Sequence, residues 1–302
     1  MLDLSYIPNS QQDIKIFYAA SGSNSWQTWQ KPRKCNYVWI MCIGGAGGGG
    51  YGPNINNTFT STGGGSGAVS RALYNAQQLP DTLYVQVGVG GAGGVSGANG
   101  SPGTRSWVSL QQATTIVAQN IVQGSGAAVA AGGIVGGIGG NVAGETAVTQ
   151  TQATFLTLSN FIGLAGVTAV NVGVSQAPDV TPLSSQVTCQ GANGSSNSIA
   201  ILGQNGGSIL SSSISPLISG GIGATASGSN ATNGANGYTS FKPFFSTGGA
   251  GGGSAVSGSG GNGGNGGIGS GGGGGGGTSP SSGFTAGNGG KGGDGLVVII
   301  SF

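Results

Sequence analysis

The chain has 302 residues, 70 of them glycine, about three times the share in average proteins. Only 5% are charged, the net charge is +2 and histidine is absent. That balance leaves no broad electrostatic footprint for nucleic acid or an anionic membrane. It also removes Ser-His and Cys-His triads and histidine-based metal sites.

The first residues, MLDLSYIPNSQQDIK, have neither a basic region nor a long apolar stretch, so no secretory signal is expected. No run of about 18 apolar residues occurs anywhere, so no transmembrane helix is expected. Ile14–Ala19 (IKIFYA) alternates Ile14, Ile16 and Tyr18 on one face and predicts the first strand. Tyr37–Ile43 (YVWIMCI) is almost wholly apolar, the pattern of a strand covered on both faces, and it runs directly into glycines. Gly67–Asn75 and Thr82–Val89 predict two more strands, with Pro80 as the breaker between them. Leu296–Phe302 predicts the last, again beside glycines and proposed to lie next to YVWIMCI. Helix is nearly excluded, because glycine interrupts every 3.6-residue pattern.

Between the strands lie glycine tracts. In the two C-terminal ones, Asn262, Asn265 and Ile268 are spaced three apart, as are Asn288, Lys291 and Asp294. Three residues per turn is the repeat of a polyproline-II-type helix, which has no internal hydrogen bonds. Two readings are open: ordered glycine helices packed side by side, or flexible linkers. Asn-Gly pairs at Asn99, Asn193, Asn205, Asn233 and Asn236 predict tight turns. Residues 141–240, richer in Ser, Thr, Gln and Ala, read as a second β-rich unit, with Val170, Val172 and Val174 alternating in a short strand.

Chemistry is sparse. Gly88–Gly93 fits a GxGxxG pattern, but the next residues, Gly94 onward (GVSGANGSPG), cannot open a helix, so the phosphate-binding logic fails. Gly289–Val297 fits one calcium-binding nonapeptide, which needs tandem copies, and Asp294 is better read as a turn residue. The three cysteines, Cys35, Cys42 and Cys189, form no metal-ligand or disulfide spacing. Cys35 and Cys42, seven apart, are expected on opposite strand faces as buried thiols. No catalytic residue, cofactor or metal site is therefore expected. Aromatic residues are the other candidates. Trp26, Trp39, Phe241 and Phe244 are expected in the core, whereas Tyr51 and Phe59, with Asn262 and Asn265, are candidate receptor-binding residues.

The order VWIMCIGGAGGGG, LYVQVGVGGAGG, GSPGTRSWV and a final GGKGGDGLVVIISF resembles the glycine-rich domain of phage tail-fibre and spike proteins. The likeness covers residues 22–135 and 241–302. The three-residue periods are more loosely similar to polyglycine-II tail-tip adhesins of T-even-type phages. The resemblance implies an exposed virion component, often trimeric and not an enzyme, whose glycine-rich loops meet the host. The whole reading is an all-β protein with a β-sandwich-like body, glycine-rich loops and polyglycine-II-type packing in the C-terminal tracts. Its organisation would be an N-terminal segment 1–21 for particle attachment, a glycine-rich domain in two parts, 22–140 and 241–302, and an inserted region 141–240. Its partners would be itself as a homotrimer, other virion proteins and a host glycan or protein receptor, without nucleic acid or membrane insertion. It would be made in the host cytoplasm and reside on the virion surface. A purely architectural capsid, filament or coat subunit is the alternative.

Overall fold

The computed structural model describes residues 13–20, 25–53, 60–112, 120–124, 156–157, 163–167, 176–183, 186–196, 202–279 and 283–302. Within them the protein is all-β. Its strands are β1 (Asp13–Tyr18), β2 (Trp26–Gln30), β3 (Tyr37–Ile43), β4 (Val69–Asn75), β5 (Thr82–Gln86) and β6 (Ser106–Ser109). They continue with β7 (Asn120–Gly124), β8 (Leu156–Thr157), β9 (Thr239–Phe241), β10 (Phe244–Ser246) and β11 (Leu296–Ser301).

Among the described residues three sheets form, ordered β1-β11-β3-β4-β8, β2-β5-β6-β7 and β9-β10. The expected pairing of YVWIMCI with the last strand is present: β3 and β11 run antiparallel, with Ile43 opposite Leu296 and Ile40 opposite Ile299. Both strands are apolar almost throughout, Ser301 excepted, because both of their faces are covered. Val38, Ile40, Cys42, Val297 and Ile299 pack with Tyr74 against Trp29, Leu83, Val85 and Val108 of the second sheet. Trp39, Met41, Ile43, Val298 and Ile300 pack on the other side with Phe244 and the partly buried Ile268. The β-sandwich is the first of these interfaces. At the edge, β1 sets Ile14, Ile16 and Tyr18 opposite Ile300, Val298 and Leu296. These three side chains are exposed, while Phe17 leans on the sandwich core.

Aromatic placement follows the expectation in part. Trp39 and Phe244 are buried, Trp26 is half-buried with its ring edge-on to Trp107 at 5.9 Å, and Phe241 is exposed. Trp29, flanked by polar residues in sequence, is nevertheless the largest fully buried side chain among the described residues.

The cysteine expectation needs correcting. Cys35 precedes β3, so strand alternation does not govern it, and both Cys35 and Cys42 pack against the same core cluster. Cys35 is only half-buried, whereas Cys42 and Cys189 are buried. Burial pushes the Cys189 thiol up to about 11, slightly opposed by a backbone hydrogen bond, and raises Cys42 further still. A thiol whose folded pKa exceeds its unfolded value stabilises the fold below the unfolded value, and that contribution is lost as pH rises. For Cys189 the loss falls between the ordinary thiol value of 9.0 and about 11. Native protein near neutral pH is thus expected to give at most one equivalent of thiol to an alkylating reagent, from Cys35. Denatured protein should give three.

The glycine tracts continue the sheets rather than looping away from them. Beyond β3 and β4, Gly44, Gly47 and Gly50 donate to Ala68, Gly65 and Thr62. Ala46, Gly49 and Gly52 likewise donate to Gly293, Gly290 and Gly287, beyond the β3–β11 pair. Each pairing keeps the register of its strand ladder while stepping by three residues instead of two. The β9–β10 hairpin is extended in the same way, by Thr247, Ala250 and Gly253 donating to Tyr238, Ala235 and Thr232.

Segment 247–255 shows the resulting lattice. The N–H groups of Gly249, Gly252 and Ala255 donate to Gly271, Gly274 and Gly277. Those of Ala250 and Gly253 point to segment 232–235, and those of Gly251 and Ser254 point to Gly207 and Gln204. Its carbonyls turn through three further neighbours, accepting from 261–267, from Ala192 and Ser195, and from Gly221 and Ala224. Donation in three rotating directions and acceptance in three others is the hexagonal packing of threefold polyglycine-II helices. The same pattern surrounds 270–278, where the Ser61 hydroxyl donates to the Gly275 carbonyl. Ordered packing is therefore found in both C-terminal tracts, and it extends to 44–53, 60–67, 88–94 and 186–196.

Such packing requires glycine because the backbones touch. A Cβ built on Gly273 would lie 2.0 Å from the Ala250 carbonyl oxygen, and one on Gly49 would lie 2.0 Å from that of Gly273. Ordering a glycine is entropically costly, so the array depends on nearly complete satisfaction of its buried N–H and C=O groups. Side chains fill gaps in that scheme. Asn193, fully buried, accepts from the Gly63 N–H and donates to the Thr60 hydroxyl, both at 3.1 Å. Asn193→Ala is expected to cost about 1–3 kcal/mol by stranding a buried donor, read as a lowered denaturant midpoint.

Candidate functional site: an asparagine-lined face of the glycine array

The outermost helices of the array lack neighbours on one side, and their outward N–H groups would go unpaired without help from side chains. Three adjacent segments, 230–239, 259–268 and 285–294, solve this with every third residue. The Oδ1 atoms of Asn230, Asn233 and Asn236 accept from the N–H groups of Ser259, Asn262 and Asn265, each at 2.8 Å. Asn262 and Asn265 pass the arrangement on, accepting from Asn288 and Lys291, again at 2.8 Å. Thr239 caps Ile268 at 3.0 Å, and Asp294 caps Gly90 at 2.8 Å while pairing with Lys291 at 2.8 Å. The result is a lattice of side chains spaced about 9 Å along each helix, three residues at ~3.1 Å each.

This accounts for the amide orientation. Because the neighbour presents an N–H, the side-chain oxygen must face it, and the NH2 group is left over. Among the described residues, Nδ2 of Asn233, Asn236, Asn262 and Asn265 has no protein partner, and the Asn288 amide, which caps no N–H, has none on either atom. These five exposed residues line a shallow cleft of about 450 Å³. The face offers hydrogen-bond donors with little net charge.

Of the residues singled out from sequence, Asn262 and Asn265 lie at the centre of this cleft. Tyr51 continues the array after β3 and is only 7% exposed. Phe59, like Val170, Val172 and Val174, lies outside the described residues. The Asn-Gly turns are also corrected. Gly100, Gly194, Gly206, Gly234 and Gly237 lack the positive φ that a type I′ turn requires, and their segments are extended. The turn near Asn99 instead uses Ser96 and Gly97, at φ 49 and 83. Asp294 is likewise an extended capping residue, not a turn. Asn233, Asn236 and Asn288 escaped notice as site residues, although aligning the three tracts by their triplet spacing would have set them side by side.

No group of three or more His, Cys, Asp or Glu residues able to hold a metal occurs among the described residues. No helix there is long and apolar enough to cross a membrane.

Fold and surface together define a class: a β-sandwich whose strands extend into a laterally bonded glycine lattice with an amide-studded exterior. The chain belongs to the glycine-rich domain family, whose pattern it matches over residues 20–301. No curated protein matches it significantly.

Proposed function

We propose that this protein is a virion structural component, a spike or tail-fibre subunit that attaches the particle to its host cell surface. The observation that carries this reading is the asparagine-lined cleft, a nearly uncharged donor surface on a scaffold held by lateral backbone bonds. Attachment surfaces work best when they are ordered before the ligand arrives, because little conformational entropy is then lost on contact. The likeness in motif order to phage tail-fibre and spike domains supports the same reading. On it, the partners are further copies of the chain as a homotrimer, other virion proteins through the N-terminal segment, and a host glycan or protein receptor.

A purely architectural role is the competing reading, since lateral glycine packing and the β1 edge could serve assembly alone. An antibody against the asparagine face separates the two. It is expected to label intact particles and to block their adsorption to host cells. Particles that lack the protein and still adsorb normally, but assemble poorly, would establish the architectural role instead.

A further inference from the structure

We infer that the asparagine cleft binds an extended, neutral glycan through carbonyl acceptors, with acetamido groups as the preferred contact. This inference rests on the attachment reading and specifies its ligand.

The side-chain inventory decides what the cleft can accept. Four of its amides, those of Asn233, Asn236, Asn262 and Asn265, have spent their oxygen on a neighbouring backbone N–H at 2.8 Å. What remains on each is an NH2 group with two donors and one lone pair of the already bonded oxygen, so donors outnumber acceptors. A ligand rich in acceptors fits such a donor-rich surface better than a hydroxyl-only sugar, each of whose O–H groups also needs an acceptor. Carbonyl and carboxylate oxygens are the available acceptor-only groups. The charge balance chooses between them. Lys291, beside the cleft, is already paired with Asp294 at 2.8 Å, so its charge is largely spent and offers a carboxylate little attraction. The donors repeat along parallel helices at about 9 Å, which favours a chain with repeated acceptors over a single small molecule.

The molecule itself supplies a substitution that separates capping from binding. Asp179 and Asp294 cap the N–H groups of Ser208 and Gly90 at 2.8 Å, in the way that the asparagines cap theirs. Aspartate therefore keeps the cap and replaces the outward NH2 with a second acceptor. In Asn262→Asp/Asn265→Asp the lattice is retained, while the two NH2 groups on the central segment of the cleft are replaced by acceptors. Asn205→Asp is the matched control, since Asn205 caps Gly223 at 2.9 Å and does not line the cleft.

The full chain is tested against immobilised chitooligosaccharides (neutral, acetamido-bearing), dextran (neutral, hydroxyl only) and polygalacturonate (carboxylate-bearing). The expected result is binding to chitooligosaccharide in preference to the other two, reduced at least about tenfold in the double variant and unchanged in Asn205→Asp. All three proteins should melt at the same temperature. Undiminished binding by the double variant would overturn the site. Preference for dextran or polygalacturonate, or no binding to any of the three, would overturn the ligand class. Blockade of particle adsorption by purified protein is measured in parallel. If wild type and double variant block equally, only the site falls; if neither blocks, the attachment reading falls with it.

Discussion

Gly273→Ala is expected to destabilise the protein by about 3 kcal/mol or more, the upper range for overpacking a site that cannot relax. For a chain of this size that means a melting temperature lower by roughly 6–12 °C. The added Cβ would meet the Ala250 carbonyl oxygen at 2.0 Å and its carbon at 2.6 Å. Neither backbone can retreat, because Gly273 donates to Gly264 and accepts from Gly290, while Ala250 donates to Ala235 and accepts from Gly264. Gly228→Ala is the informative contrast. Nothing lies within 4 Å of a Cβ there, and the cost arises from φ +80 alone. That conformational penalty is about 1–2 kcal/mol. Thermal melts of the two variants should therefore differ clearly, and equal melts would mean that the lattice is looser than these contacts require.

The second large effect belongs to the sandwich. Trp29→Ala should cost about 3–5 kcal/mol, because it empties a fully buried site between the two main sheets. Trp29→Phe should cost much less. The indole Nε1 is buried without a hydrogen-bond partner, so its removal relieves an unmet donor and offsets part of the lost contact area. Chemical denaturation of both variants checks the ordering. A Phe variant as unstable as the Ala variant would show that shape at this site outweighs the unpaired donor.

The strands were legible in the sequence wherever packing leaves a periodic mark. YVWIMCI and LVVII are apolar at every position because the sandwich covers one face and the β9–β10 hairpin and Ile268 help cover the other. Trp29 was not legible, since its neighbours on β2 alternate outward and only one side chain of WQTWQ is fully buried. Ordered glycine packing was legible only where a third residue broke the run, as at Asn262 and Asn265. In 44–53 and 88–94 the third positions are often glycine or alanine, and the helix carries no marker. The site was half legible for a related reason. Asn-Gly has two physical uses, a tight turn or a capped extended helix, and the choice depends on whether another segment lies beside it. The placement of Tyr51 was not legible, because an aromatic residue within glycines suggests an exposed loop, whereas here the strand continues into the array. What composition cannot convey is lateral context, since every lattice bond joins a segment to another that is distant in sequence or across a turn.

Above all, the glycine tracts are a hydrogen-bonded continuation of the sandwich. Amide hydrogen exchange resolved to segments 247–254 and 271–277 tests this most directly. Protection comparable to that of β3 and β11 is expected, because these N–H groups are buried and bonded to neighbouring segments. Exchange of both segments at the rate of an unstructured chain, alongside a protected β3–β11 pair, would contradict it.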